Sequence, residues 1–302
     1  MIVPVRNGAD DVQALLACLD RQTIPRADFE VVVGDDGSTD GGAAAVATGD
    51  GHVRVSAGPP VNAYAARNRA VAVSESPVLA FCDADCRPAP DWLERGLAAL
   101  RSADVVAGRI RFDIPAGAGI WSLLDAESTK DHARQVEVGT AETANLFVRR
   151  ELAERVGLFD VRQPGYGDFA FVLRCVAAGG RLVYAEDAVV SHPVRTSARS
   201  FLRNVWSMNS SYAAFEAGAG RLPEGLRLRE WVPIVQTVRS RRRFGMSFGL
   251  DRRWLGESGY RPTTRDDLRA VPLTYLVLPY VRVLAQAVGW WTGRRERSSA
   301  RG

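Results

Sequence analysis

The 302-residue sequence contains one lysine, Lys130, so arginine carries almost all of its positive charge. It has three histidines and four cysteines, Cys18, Cys82, Cys86 and Cys175, which are too few and too scattered for a disulfide framework. Cys82 and Cys86 lie close together, but no second Cys/His pair at zinc spacing accompanies them. Reduced thiols in or near a core are therefore expected, with a reduced, cytoplasmic compartment as the default. No basic stretch followed by an apolar one precedes Ile2-Val3-Pro4-Val5, so no secretory signal is read. Repeats and low-complexity tracts are absent. The net charge of +4 is too small to imply a nucleic-acid partner.

What is present is an alternation of strand-like and helix-like segments. Val12, Leu15, Leu16 and Leu19 recur at helical spacing. Phe29–Val33, His52–Val55, Val78–Cys82 and Val105–Ala107 read as strands, with helices expected over 61–75 and 91–101 between them. The Val78–Cys82 run has almost no polar face, as in parallel sheets covered on both sides. A doubly wound α/β sheet is the expectation. Further on, Thr143–Val148 is a candidate strand, Asp168 opens a helix, and Leu182–Tyr184 and Val189–Val190 are two short strands. Beyond about 197 the chain reads as mainly helical.

Acidic residues fall immediately after two of the apolar strands, as Asp35-Asp36-Gly37-Ser38 and Asp83-Ala84-Asp85. Ligands of open α/β sheets bind outside the carboxyl ends of the strands. Two carboxylates on a tight loop can hold a hard divalent cation and, through it, a diphosphate. The bland alternative for each cluster is a solvated turn, with Ser38, Thr39 or Asp40 capping the following helix.

Several motifs stand in a characteristic order. They are Ile2–Asn7, Asp35–Asp40, Ala66-Arg67-Asn68-Arg69-Ala70, Asp83-Ala84-Asp85, Pro90–Leu93, Thr143–Arg150, Gly167-Asp168, Arg174 and Ser191-His192-Pro193. In this set the sequence resembles glycosyltransferase family 2, inverting enzymes with the GT-A fold, from Ile2 to about Arg199. The resemblance implies an α/β, Rossmann-like nucleotide-diphospho-sugar transferase domain over 1–199. Its nucleotide-binding half would run to about 110 and its acceptor half over 111–199, with a helical extension over 200–302. It implies that Pro4, Val5 and Arg6 line a base pocket, with Asp36 and Asp35 on the base or ribose. Arg67 and Asn68 would lie near the nucleotide, Asp83 and Asp85 would hold Mg²⁺ or Mn²⁺ and the diphosphate, and Asn145 would face the sugar or acceptor.

Asp168 would be the catalytic base, and it could also cap its helix. His192 reads equally as a ligand near the metal or as a structural histidine. Arg67 reads as a nucleotide contact or a solvated helix face, and Arg195 as a diphosphate counter-charge or a surface residue. Two departures stand out: Gly167 precedes Asp168 where the family has a glutamate, and Ala170 stands where a second acid is common. No Gln-x-x-Arg-Trp signature of processive polymerases follows Asp168, so single addition is expected.

The implied reaction takes a sugar from a nucleotide-diphosphate sugar, UDP by default, to a glycan or lipid-linked acceptor. A non-catalytic nucleotide-sugar or glycan-binding protein on the same fold is the alternative. A nucleotidyltransferase fits poorly, because Arg6–Asp10 is not a triphosphate-binding loop. Arg239, Arg241, Arg242, Arg243, Arg252 and Arg253 form a basic cluster, and 273–291 reads as an amphipathic helix followed by Arg294, Arg295 and Arg297. That helix either lies on an anionic membrane surface, placing the protein peripherally on the inner face of the cell membrane, or folds back on the domain.

Overall fold

The computed structural model describes residues 1–41, 46, 52–128, 131–163, 165–223, 226, 261 and 263–299. Its described residues fall into two compact units. The first takes in Met1–Arg111, Lys130–Arg162 and Gly167–Pro193, and the second Phe112–Thr129, Gln163–Tyr166 and Val194 onward.

The sheet has eight strands: β1 (Ile2–Val5), β2 (Val31–Asp35), β3 (Val53–Ala57), β4 (Val78–Cys82), β5 (Arg87–Pro88), β6 (Val105–Asp113), β7 (Asn145–Arg149) and β8 (Leu182–Pro193). Their order is β3-β2-β1-β4-β7-β6-β8-β5. The β3-β2-β1-β4 half is parallel, with β1, β2 and β4 buried on both faces and β3 partly exposed at the edge. The other half is not doubly wound: β7 runs antiparallel to β4 and β6, and β5 antiparallel to β8. The two short strands expected around 182–190 are one twelve-residue strand. Glu186 and Asp187, between the two expected strands, are exposed while the backbone stays extended, and Glu186 pairs with Arg109 at 3.5 Å.

Helices α1 (Ala9–Leu19), α2 (Ala63–Val73), α3 (Trp92–Leu100), α5 (His132–Glu137), α6 (Arg150–Arg155) and α7 (Gly167–Ala177) belong to the first unit. The Asn62 side chain caps α2 by accepting from the Tyr64 and Ala65 amides. Gly34 lets α2 close onto β2, because a Cβ there would collide with the Ala66 carbonyl. Gly37, at φ 76°, turns the chain after β2 where a side chain would meet Pro60 at 2.8 Å. Ile2, Val32, Phe81, Leu146, Val148 and Phe171 fill the core, and Phe81 meets Phe159 edge-on at 5.4 Å.

The second unit contains α4 (Ile120–Ser128), α8 (Ala198–Gly218), α9 (Thr264–Pro272), a π-helical turn (Leu273–Val277) and α10 (Leu278–Ser299). Pro279 follows directly on the π-helical turn within a helical run continuous from α9, and it has no amide proton to give to the turn before it. Helix α10 packs on α8 through Gly289, which sits over the Ser210 carbonyl, and through Gly293, where a Cβ would lie 3.0 Å from Ala214. Gln286 donates to Asn209 at 3.1 Å. Arg195 pairs at 3.1 Å with Asp125, which is fully buried, so within this unit its partner is a protein carboxylate. Among the described residues no helix is long and apolar enough to cross a membrane. The arginines at 239–243 and 252–253 lie outside the described residues.

Candidate active site

The carboxyl ends of the parallel strands carry the acidic clusters. Pro4 and Val5 end β1 as buried residues, and Arg6 follows exposed. Val5 is in register with Asp35, the last residue of β2. Asp35 Oδ1 accepts from the Ser38 amide at 3.0 Å, closing the turn after the strand. Asp36, 4% exposed, accepts through Oδ1 from the Val61 amide at 3.0 Å and from Arg69 at 3.2 Å. Ser38, Thr39 and Asp40 brace the loop after β1; most of the segment they were expected to cap lies outside the described residues. Ser38 accepts from the Asn7 amide, the Thr39 amide donates to Asn7, and Asp40 accepts from the Ala9 amide in the first turn of α1. Asn7 holds a left-handed φ of 53° within that brace.

Beyond β4 the chain turns sharply, with the Cys86 amide donating to the Asp83 carbonyl at 3.1 Å. Arg87 clasps this turn, donating to the Ala84 carbonyl at 3.3 Å and the Cys86 carbonyl at 2.9 Å. The two aspartates diverge. Asp83 accepts from Arg67 at 2.7 Å. Arg67 is 5% exposed, which overturns the solvated-face reading, and its guanidinium lies 5.8 Å from the Tyr64 ring centre and 5.9 Å from that of Phe159. Arg67 Nε is buried and without a hydrogen-bond partner among the described residues.

Asp85 is 40% exposed and faces His192, whose Nε2 lies 3.8 Å from Asp85 Oδ1. His192 Nδ1 lies 2.7 Å from the Pro193 carbonyl oxygen. A carbonyl only accepts, so Nδ1 carries a proton. In the neutral ring Nε2 then turns a lone pair toward a carboxylate. Two arrangements reconcile the facing groups: a second proton on the ring, which makes an imidazolium–carboxylate pair, or a cation held between them. Fixing one ring nitrogen on a backbone carbonyl is the usual support for a metal-ligating imidazole. Cys86 Sγ completes a group with Asp85 and His192 whose candidate ligand atoms all lie within 4.8 Å of one another. Asp83, expected as a second ligand, is not in that group; Cys86 was not foreseen. A carboxylate–imidazole set suits Mn²⁺ better than Mg²⁺, which prefers oxygen alone. Burial pushes the neighbouring Cys82 thiol well above its usual range, with Cys86 beside it adding to the effect.

Two expected donor contacts have other partners. Asn68 donates to the Phe159 carbonyl at 2.7 Å and accepts from its amide at 3.1 Å. Asn145, expected to face the sugar or acceptor, is fully buried. It accepts from Trp92 Nε1 at 2.8 Å and donates to the carbonyls of Arg109 at 2.9 Å and Ala188 at 2.8 Å, so it joins β6, β7 and β8. Gly108 leaves the room it needs.

Asp168 lies in the first turn of α7, half-buried. Its Oδ1 accepts from the Phe169 amide at 3.0 Å, and its Oδ2 lies at the long limit, 3.5 Å, from the Thr143 amide. The helix N-terminus favours the ionised carboxylate.

Comparison with known proteins bears on the family and the fold. Glycosyltransferase AglE of Haloferax volcanii is 33% identical over 202 residues, covering 65% of this chain and 66% of its own length. Pre-mycofactocin glycosyltransferase of Mycobacterium tuberculosis is 27% identical over 226 residues, covering 67% of this chain and 44% of its own length. The match thus spans just under two thirds of the first relative and less than half of the second. Among solved structures, mannosyltransferase PcManGT from Pyrobaculum calidifontis, in complex with GDP-Man and Mn²⁺, superposes with a TM-score of 0.63 at 19% identity, over 96% of this chain and 86% of its own. S. aureus TarS 1-349 with UDP-GlcNAc gives 0.54 at 19% identity, over 99% and 91%. These likenesses establish the fold as GT-A. Residues 1–157, more than half of the sequence, match the profile described as Glycosyl transferase family 2, and that stretch carries the Asp35-Asp36 and Asp83-Ala84-Asp85 loops at their strand ends: the chain belongs to glycosyl transferase family 2.

Proposed function

We propose that the chain is an inverting, metal-dependent glycosyltransferase that moves a sugar from a nucleoside-diphosphate sugar to a hydroxyl of a glycan or lipid-linked glycan. The observation that carries this reading is the opposition of Asp85, on the turn after β4, and His192, near the end of β8, with His192 Nδ1 on a backbone carbonyl. Asp85 and His192 would hold Mn²⁺, which when bound neutralises charge on the departing diphosphate. Pro4, Val5, Arg6, Asp35 and Asp36 form the base and ribose end, at the carboxyl edge of β1 and β2. Arg67 keeps Asp83 directed at the same turn, while Asn68 holds the Phe159 backbone and Asn145 joins β6, β7 and β8.

Asp168 takes the proton of the acceptor hydroxyl as that oxygen bonds the anomeric carbon. The bond from that carbon to the phosphate oxygen breaks, and the nucleoside diphosphate leaves with the electron pair. In-line attack from the opposite face inverts the anomeric centre. With water as acceptor, time-resolved proton NMR of an α-linked donor is expected to show the β-anomer of the free sugar first; initial release of the α-anomer would contradict inversion. The base is open between uridine and guanosine, since the structural neighbours bear GDP-Man and UDP-GlcNAc.

A membrane-surface position belongs to the same reading. The small residues of α10 face α8, while Tyr280, Leu284, Val288 and Trp291 form an exposed row along its other side, continued by Leu276 in the π-helical turn, each at least 46% exposed. Trp and Tyr in such a row, with Arg294 exposed and Arg295 and Arg297 following in sequence, match an anionic lipid surface. The protein is expected to float with vesicles of phosphatidylglycerol and phosphatidylcholine, and the exposed-face pair Leu284→Glu and Trp291→Glu to abolish this. Equal flotation by both proteins would refute the lipid-facing role of this row.

A further inference from the structure

We propose that Tyr64 is a positioning residue for the acceptor side of the site: its hydroxyl holds the first amide of α7 and so sets the direction of Asp168. The inference rests on Asp168 acting as the base. The observations lie along α2 and the segment it grips. Asn62 Nδ2 donates to the Val161 carbonyl at 2.8 Å, and Asn68 brackets the Phe159 backbone from both sides. The Tyr64 hydroxyl, on the same helix, accepts from the Gly167 amide at 2.9 Å.

The pair is sterically matched. A Cβ at Gly167 would lie 2.9 Å from Cε2 and Cζ of Tyr64, closer than side chains tolerate. Glycine stands next to the base, where the family resemblance leads one to expect an acid, because the tyrosine ring occupies that space. The ring itself is placed by the core: Tyr64 is 9% exposed and stacks on Phe159 at 5.7 Å and 19°. Its position therefore does not depend on the hydroxyl, which is left to act on α7.

That action follows from how helices begin. The first amides of a helix have no partner within it. At this start the Phe169 amide goes to Asp168 Oδ1, and the Gly167 amide goes to Tyr64. Without the phenol oxygen, a buried Gly167 amide would compete for the Asp168 carboxylate and turn it from the acceptor. Burial, together with the Asp168 charge, pushes the Tyr64 phenol above its ordinary range, so it stays neutral through the working pH. Arg67, over the same ring and bonded to Asp83, joins this support to the turn that carries Asp85.

Tyr64→Phe keeps the ring and removes only the oxygen. Turnover is read as release of nucleoside diphosphate to water from whichever of UDP-GlcNAc, UDP-glucose or GDP-mannose the protein uses. The expected result is a fall in kcat of about 10- to 100-fold, the scale of a small misplacement of a reacting group. Donor KM and Mn²⁺-dependent nucleotide affinity are expected to stay within about twofold. A merely structural tyrosine would lower stability and both parameters together. In the double variant Tyr64→Phe/Asp168→Asn, kcat is expected to be no lower than in Asp168→Asn alone, because the tyrosine acts through the aspartate. Wild-type kcat in Tyr64→Phe, or full additivity in the double variant, overturns the proposal while leaving Asp168 as base. Wild-type kcat in Asp168→Asn overturns the base assignment itself, and with it the role of Tyr64.

Discussion

Asp168→Asn is expected to lower kcat by about 10²- to 10⁴-fold, the range lost with a positioned general base, while leaving nucleotide affinity and melting temperature near wild type. Asparagine keeps the shape of the side chain and an oxygen that can accept from the Phe169 amide, so the start of α7 is preserved. What is lost is the capacity to take a proton. Alanine would confuse the two roles by removing the cap as well. Steady-state nucleoside diphosphate release and a thermal melt on the same preparation separate them. Activity within threefold of wild type would place the base elsewhere.

The second large effect is expected at Asp85. Asp85→Asn is expected to weaken Mn²⁺-dependent binding of the cognate nucleoside diphosphate by about 100-fold or more, with binding in EDTA unchanged. The estimate follows from the weight of direct ligands: even residues that only support a ligand are worth about 10- to 100-fold in metal affinity. Asp85 is 40% exposed on a turn held by Arg87 and the Cys86 amide, so the substitution leaves the fold in place. Isothermal titration with the nucleotide, in Mn²⁺ and in EDTA, reads the effect. If Asp85 and His192 formed only an ion pair, Asp85→Asn would leave the Mn²⁺ dependence untouched.

The parallel half of the fold was legible in the sequence because it is local. Val31–Val33 and Val78–Cys82 are short, apolar and followed at once by acidic turns, so strand, burial and site declare themselves within a few residues. The antiparallel half was less so. Two short strands were expected on either side of the polar Glu186-Asp187, and only the sheet shows one strand continuing with those two side chains exposed.

The same division runs through the site. Asp36, Asp83, Asp85 and Asp168 were marked by their place after strands or at a helix start. Their partners were not, since those contacts cross long stretches of sequence. Asn68 meets Phe159 at a separation of 91 residues and Asn145 meets Trp92 at 53. In the family motif both read as ligand contacts, yet their amides bond within the fold. Tyr64 and Gly167, 103 residues apart, carried no sequence signal beyond the missing glutamate, which the tyrosine ring explains. Cys86 is the buried thiol expected, and its nearness to Asp85 and His192 was not legible because His192 comes from a distant strand.

The central claim, a metal-dependent nucleotide site on the turn after β4, is tested most directly by melting the wild-type protein with UDP, GDP, dTDP and CDP, each with and without Mn²⁺. A ligand that binds only the folded state raises the melting temperature, on the order of 5 °C at a hundredfold excess over Kd for a chain of this size. The account expects such a shift with one nucleotide, present in Mn²⁺ and absent in EDTA. No shift with any of the four, or an equal shift without the metal, would contradict it.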